Sequence, residues 1–473
     1  MVRMAMTTKT KTVLRRLAWG VGGLCLGLIL LVLAWLASNN RWVDAEAQPR
    51  PAALQPRSVA LAPEANVFFD LSGLFAGPQA QPSRVGQALW ATPTPEQATV
   101  ADAHLLPQPR DAAWSCSWDL NDCLGLWLQD KEGLRLRLAE QALLLERCSA
   151  LAAGLSDGRL GFDELLQQPR AELRRASDQY LGLPVAPHLQ GARVCARGFQ
   201  LQAAWAQSQG QAEALLQALG RAQALSRALL QGSQSLISTV LAWNHERQRL
   251  RLLAGLLALE PGLAPRLTAQ LGPLPERARD AGAWMAAESF FGAQAMQEMA
   301  QLCGRNEGGQ LLEQAGLIDR WLCNFGFMPQ RTQQANDAWW LEQHEAAKAG
   351  PEALLKHLQA QQAREFSMWD LPWRNTIGAI LLAVAHPAFA DYPAKQADLQ
   401  LDHRVAQLAL ALATQNVPVA EREVWLARQD LTPSQRERIT LSEDGLSLRV
   451  LPWAKPVTPS PGGLSRSWPL APL

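Results

Sequence analysis

Glu288 is the acidic residue whose neighbours best suit acid–base chemistry. It lies in the segment WMAAESFFGAQAMQEM (284–299), and on a helix its carboxyl group falls one turn from Trp284, Met285 and Phe291. Apolar surroundings raise the pKa of a carboxyl group, which would suit a general acid. More often such a carboxylate reaches solvent or pairs with an arginine or a helix terminus. An enzyme that hydrolyses a glycan would also need a second carboxylate roughly 5–9.5 Å from the first.

Six cysteines follow the apolar N-terminal segment, and an even number suits disulfide bonds in an oxidising compartment. Six cysteines allow fifteen pairings, and buried free thiols are the alternative for any one pair. We expect neighbours along the chain to pair. The expected pairs are Cys116 with Cys123, Cys148 with Cys195, and Cys303 with Cys323. No zinc-like Cys/His spacing occurs, so no metal or other cofactor is expected.

The chain has eighteen tryptophans and only two tyrosines, and several tryptophans fall in short clusters. Exposed tryptophans often dominate interfaces, and a groove lined by them suits a glycan or a partner helix. Packing between helices explains the same clusters equally well. The candidate interaction residues are Trp114, Trp118, Trp339, Trp340, Trp369 and Trp373.

Other sequence motifs that resemble catalytic sites lack their necessary context. His245-Glu246 and His344-Glu345 begin like the metalloprotease H-E-x-x-H motif, but Arg249 and Lys348 stand where its second histidine would be. We therefore name no catalytic residue other than the weak candidate Glu288, and we expect a non-enzymatic protein more than an enzyme.

The element that must position everything else is an uncharged apolar run of 21 residues, Leu17 to Ala37. Its length suits one membrane-spanning helix, and the five Lys or Arg residues before it place the N-terminus in the cytoplasm by the positive-inside rule. The alternative is a cleaved signal peptide, with Ala45-Glu46-Ala47 as its cleavage site. The apolar run is longer than a signal peptide requires, so we expect a permanent anchor in a bacterial inner membrane, with the bulk in the periplasm.

Glycines give this helix a possible second role. Gly23 and Gly27 form a G-x-x-x-G motif, which lets two membrane helices approach closely. The chain would then be an accessory subunit whose anchor also binds a neighbour.

Beyond the anchor, the apolar spacing is mainly helical, with leucines and alanines at three- and four-residue steps in segments such as 134–153, 212–230, 233–258 and 396–416. We predict an all-α body, either an irregular multi-helix bundle or an α-solenoid-like stack. The expected divisions are a cytoplasmic segment (1–16), the membrane helix (17–37), a Pro-rich stalk (38–65), a loop-rich part (66–132), the helical domain (133–454) and a disordered tail (455–473).

One short segment favours strands. Asp444-Gly445 lies between apolar residues that alternate along 438–442 and 446–451, which predicts a small β-hairpin packed on the helical body.

Charge limits the classes of partner. Residues 1–50 hold seven basic and two acidic residues, so the remainder carries a net charge of about −4. A mildly acidic body without a basic stripe argues against nucleic acid.

Three short motifs resemble uncharacterised, singly anchored envelope proteins of proteobacteria. They are NVFFDLSGL (66–74), RNTIG (374–378) and ADLQLDHR (397–404). The resemblance implies an envelope location and a helical fold, and it transfers no site residue.

The favoured hypothesis is a bitopic inner-membrane scaffold whose periplasmic helical domain binds another envelope protein. The alternative is a periplasmic hydrolase, acting on lipid or cell-wall glycan, that uses Glu288.

Overall fold

The computed structural model describes residues 8–39, 43–90, 106, 116, 122–166, 187–304, 327–362, 373–389, 391–453 and 466–470. These residues fall into two compact units. Unit 1 comprises the described parts of 1–54, 289–342 and 359–390. Unit 2 comprises the described parts of 55–288, 343–358 and 391–473.

Helices dominate both units, which confirms the all-α prediction. In chain order they are α1 Thr8–Ser38, α2 Val67–Ser72, α3 Pro82–Trp90, α4 Cys123–Gln129, α5 Lys131–Glu140, α6 Ala142–Ser156, α7 Pro187–Ser208, α8 Ala212–Gly232, α9 Leu236–Leu259, α10 Ala264–Leu271, α11 Glu276–Arg279, α12 Gly282–Gly304, α13 Pro329–Ala347, α14 Pro351–Gln362, α15 Thr376–Ala385, α16 Tyr392–Thr414, α17 Arg422–Ala427 and α18 Pro433–Arg438. Helices α12, α13 and α14 contribute residues to both units.

Helix α1 contains a window from Trp19 to Ser38 that is long and apolar enough to cross a membrane, and none of that window is buried in protein. Gly23 and Gly27 have no neighbouring atom within 4 Å where a Cβ would lie. The stretch Thr376–Thr414 passes the same length and composition test. It is broken by a 3₁₀ turn at His386–Phe389, and α16 carries buried polar side chains, as a helix packed in protein does.

The core of unit 2 is built on four long helices. Helices α7, α8 and α9 pack in sequence, and α9 then packs along α16, more than 130 residues further on. In a solenoid each repeat would contact only its neighbours. This long-range pairing favours the irregular bundle of the two predicted architectures.

A second feature of unit 2 is a three-stranded antiparallel sheet, with strands β1 Ile439–Leu441, β2 Ser447–Val450 and β3 Arg466–Pro469 in that order. The hairpin β1–β2 was predicted, and its turn residue Gly445 has the positive φ of 67° that a glycine tolerates. The prediction of a disordered tail over 455–473 is wrong for 466–470. Trp468 and Leu470 are buried, so the last strand is held by its apolar side chains as well as by β2.

Residues 43–54 pack against the rest of unit 1 although their composition predicted a stalk. Asp44 accepts hydrogen bonds from the backbone N–H groups of Gln330 (2.9 Å) and Arg331 (3.1 Å), and so caps the first turn of α13. Arg50 donates to the hydroxyl group of Ser289 at 2.6 Å. The proline content predicted an extended stalk here, whereas hydrogen bonds of Asp44 and Arg50 hold the segment against unit 1.

Helix α2 buries most of its short length, and this burial also affects its acidic residue. Desolvation raises the pKa of Asp70 to about 6, and its own backbone N–H opposes that shift. An acid with a raised folded-state pKa binds its proton more tightly in the folded chain. The stability that this proton provides is present below the unfolded pKa and is lost as the pH rises from about 4 to about 6.

We therefore expect Asp70→Asn to raise the free energy of unfolding at pH 7.5, by on the order of 1 kcal/mol after solvent screening, and to leave it nearly unchanged at pH 4. Urea unfolding of the full chain in detergent at both pH values measures this. Asp157→Asn is the control, because Asp157 is exposed and its pKa is lowered by a hydrogen bond from Arg159. A gain for Asp70→Asn that is equal at both pH values would contradict the prediction.

Candidate functional site

Two of the three predicted disulfides are present. Cys116 bonds to Cys123 and Cys148 bonds to Cys195, with Cα–Cα distances of 6.0 and 5.3 Å. The third predicted pair, Cys303 with Cys323, lies outside the residues whose side chains are described. Cys148–Cys195 joins α6 to α7 and is fully buried in unit 2. Two disulfides indicate that unit 2 folds in an oxidising compartment.

The candidate tryptophans differ in their surroundings. Trp114, Trp118 and Trp369 lie outside the described residues. Trp340 is buried in unit 1, and Trp339 stacks on His386 with a ring separation of 3.9 Å. Trp373 is 49% exposed. Trp339 and Trp340 are therefore packing residues of unit 1, whereas Trp373 lies at the surface.

Glu288 acts as a cap on a helix terminus in unit 2. Its Oε1 accepts a hydrogen bond of 2.9 Å from the backbone N–H of Leu236, the first residue of α9. Burial raises the pKa of Glu288, the Leu236 N–H opposes that shift, and the charge of nearby Glu164 adds to it. Glu164 is a second carboxylate at the same helix terminus, because it accepts from the backbone N–H of Ser235, the residue before Leu236.

Glu164, however, has its oxygens fully engaged. Its Oε2 accepts from the backbone N–H groups of Gln234 (2.6 Å) and Ser235 (2.8 Å), and its Oε1 accepts from the hydroxyl groups of Ser235 (2.6 Å) and Ser238 (2.5 Å). Desolvation works against the charged form, yet the interaction with His188 and the hydrogen bonds from the two serines keep the pKa of Glu164 below its usual value. Glu164 is a buried anion at the positive end of the α9 dipole.

His188 completes this cluster without forming a catalytic triad. Its Nε2 lies 3.2 Å from the Ser238 hydroxyl group and 3.6 Å from Glu164, so one ring nitrogen faces both groups. A triad needs the serine and the carboxylate on opposite ring nitrogens. The Nδ1 atom has no hydrogen-bond partner among the described residues, and Phe68 lies against the ring at 4.6 Å. The cluster is buried, and its Glu164 hydrogen bonds order the start of α9.

The H-E pair at 245–246 is likewise structural. Glu246 is buried and accepts two hydrogen bonds from Arg249 and one from Ser226. Burial lowers the pKa of His245 to about 3, with Arg197 and Arg193 adding to that shift, so this imidazole is neutral. The described residues contain no group of three or more His, Cys, Asp or Glu side chains that could hold a metal ion.

An open cleft in unit 2 lies along one face of α8 and has a volume of about 810 Å³. Residues from the end of α6, from 160–163, from 57–61 and from α10 form its sides. The α8 face consists of Gly220, Gln223, Ala224, Arg227, Ala228 and Gln231. We call this cleft the α8 groove.

Guanidinium and amide groups dominate the polar lining of the α8 groove. Arg57 is paired with Asp163, whereas Arg227 makes no ion pair with any residue that the structure describes. The Oε1 atom of Gln270 is buried without a hydrogen-bond partner among those residues. Arg57, Asp163 and Arg227 are the charged residues in the described lining, which contains no Glu, His or Cys. The groove therefore offers donors and acceptors for binding and no acid–base pair for catalysis.

Gly220 is unusual among the helix glycines of unit 2. Glycine inside a helix is about 1 kcal/mol less favourable than alanine, and a Cβ at Gly191 or Gly232 would lie 2.2 Å or less from a neighbouring backbone oxygen. A Cβ at Gly220 would meet only Gln270 Oε1, at an ordinary 3.5 Å. Packing does not require this glycine, and its absent side chain keeps the groove floor open.

No family model, curated protein or solved structure matches this chain. The predicted resemblance to envelope proteins thus stays a prediction, and the geometry of the chain alone must support a function.

Sequence reasoning missed the α8 groove and the Glu164 cluster. Glu164 and Ser235 are 71 positions apart, and no local pattern joins them. The spacing of Gly220, Gln223, Arg227 and Gln231 at three- and four-residue steps was a usable signal, because it places them on one helix face.

Proposed function

We propose that this chain is a bitopic inner-membrane scaffold whose periplasmic helical body binds an extended segment of another envelope protein in the α8 groove. The observation that carries the proposal is the open groove itself, whose lining includes the amides of Gln223 and Gln231 and the guanidinium group of Arg227, which forms no ion pair with any described residue.

An extended peptide suits this lining chemically. Its backbone presents alternating N–H and C=O groups, which glutamine amides bind equally well because they both donate and accept. The side-chain amides of Gln223 and Gln231 would bind the peptide backbone, and Arg227 would pair with an acidic side chain or a terminal carboxylate of the partner.

The anchor and the cysteines support the proposed compartment. The five basic residues before α1 favour a cytoplasmic N-terminus, and the two disulfides of unit 2 suit the periplasm. An enzymatic role has less support, because Glu164 is saturated by caps and neither carboxylate lines the groove.

The test places a photo-crosslinking amino acid at Gln231, which is exposed in the α8 groove, in the full chain in cells. Leu136 on α5 is 47% exposed and outside the groove lining, so it serves as the control position. We expect a discrete adduct from position 231 that is absent from position 136.

Filling the groove should remove that adduct. We expect Gly220→Leu to reduce it at least about tenfold, since a tenfold loss needs only ~1.4 kcal/mol of binding free energy. Gly220→Ala is the matched variant: it improves helix propensity, occupies little space and should retain the adduct. An adduct that survives Gly220→Leu, or identical adducts at 231 and 136, would overturn the proposed function.

A further inference from the structure

Helix α15 exposes an apolar face in unit 1. Ile377, Ile380, Leu381 and Val384 occupy positions i, i+3, i+4 and i+7, which fall on one face of a helix. Ile380 is 41% exposed and Val384 is 75% exposed. No charged residue occurs between Thr376 and Ala385. An exposed apolar stripe of this kind usually marks a surface that contacts another protein or a membrane.

The opposite face of α15 is fixed to α13. A Cβ at Gly378 would lie 2.1 Å from the Thr332 hydroxyl oxygen, so the two helices approach closely there. Asn375 accepts from the backbone N–H of Met328 at 2.9 Å and exchanges hydrogen bonds with Thr332. The exposed face is thus held in place by its buried side.

Hydrogen bonds also join the start of α15 to the end of α1. Asn39, the residue after α1, donates to the backbone oxygen of Trp373 at 2.7 Å and accepts from the backbone N–H of Asn375 at 2.8 Å. Asn39 is fully buried by these contacts. The first turn of α15 therefore lies where the anchor helix ends, and its ten residues extend only about 15 Å from that point.

The residues at this junction are those that membranes favour at their surface. Trp373 is half exposed and Arg374 beside it is exposed. Indole rings settle at the headgroup level, and arginine pairs with lipid phosphate. His386, the first ionisable residue after α15, instead stacks on Trp339 of unit 1.

We infer that the exposed face of α15, with Trp373 and Arg374, lies in the headgroup and upper acyl region of the bilayer that α1 spans. Unit 1 then contacts the membrane twice, through a spanning helix and through an interfacial helix. This inference rests on the membrane anchor of the proposed function and is independent of the α8 groove.

Spin-label accessibility in proteoliposomes tests it with the full chain in a Cys25→Ser background. Labels are placed by Leu30→Cys on α1, Val384→Cys on α15 and Val424→Cys on α17, positions that are all exposed. A sample without an introduced cysteine corrects for labelling of other thiols. Oxygen concentrates in lipid, whereas a nickel chelate stays in water.

We expect the ratio of oxygen to nickel collision rates at 384 to exceed that at 424 several-fold and to approach that at 30. Nickel access at 384 equal to that at 424 would overturn the interfacial contact. Shielding of 384 from both reagents would also overturn it, because protein would then cover the face. A water-like result at position 30 would instead refute the anchor, which separates the two failures.

Discussion

Replacing Glu164 with glutamine should lower the free energy of unfolding at pH 7 by about 3 kcal/mol. The wild-type carboxylate accepts two backbone N–H groups and two hydroxyl groups in a site that is almost free of water. A glutamine there directs an NH₂ group toward donors that cannot all reorient, and hydrogen bonds to a buried charge are each worth about 1.5–3 kcal/mol. Urea unfolding of the full chain in detergent gives the difference.

Glu288→Gln is the matched control, because it alters a carboxyl group at the same terminus of α9. Glutamine Oε1 still accepts from the Leu236 N–H, and the substitution removes a charge that burial disfavours. We expect no loss of stability from it at pH 7. Equal losses from the two substitutions would show that Glu164 has no special role in capping α9.

The pH dependence of the two carboxyl groups has opposite signs. The pKa of Glu164 is lowered by folding, so its contribution is present above the unfolded pKa and is lost as the pH falls through the folded value. The pKa of Glu288 is raised by folding, so the stability contributed by its proton is lost as the pH rises from the unfolded pKa through the folded pKa. The loss in the free energy of unfolding caused by Glu164→Gln should therefore become smaller below about pH 4.5.

Removing the disulfide between α6 and α7 should have an effect of similar size. Cys148 and Cys195 are 47 positions apart, and closing a loop of that length restricts the unfolded chain by about 4 kcal/mol in the loop-entropy account. Both sulfur atoms are buried, so the double substitution Cys148→Ala and Cys195→Ala adds no polar group to the core. The expected result is a large decrease in the urea midpoint, with loss of folding at 37 °C.

The smaller loop provides the comparison. Cys116 and Cys123 are 7 positions apart, which corresponds to about 2.5 kcal/mol for Cys116→Ala with Cys123→Ala. The ratio of the two losses, measured under identical non-reducing conditions, distinguishes a loop effect from a packing effect. A greater loss from the shorter loop would contradict the loop-entropy account.

The sequence predicted the features that local patterns encode. Leucine spacing predicted 233–258 as a helix, and α9 spans Leu236–Leu259. Asp444-Gly445 located the hairpin because only a few turn types join adjacent strands. The predicted helix over 134–153 is instead two helices, α5 and α6, which meet at Gln141. No proline or glycine occurs at that break, so the continuous apolar spacing predicted a single helix.

Features that depend on distant residues were not predictable. Strand β3 is four residues long and follows a proline-rich stretch, and its place in the sheet depends on burying Trp468 beside β2. Glu288 was recognised as a carboxyl group among apolar side chains, but its hydrogen bond to α9 required the fold. The α8 groove similarly depends on segments from 57 to 270 meeting along one helix.

The attachment of Asn39 and Asp44 changes what the anchor can transmit. A flexible tether would let unit 1 rotate freely, whatever its membrane helix contacts. Here the end of α1 is bonded to α15 and the following residues cap α13, so rotation of α1 about its own axis turns unit 1 with it. A protein that pairs with Gly23 and Gly27 within the bilayer would therefore also fix the rotational orientation of the rest of unit 1 about the membrane normal.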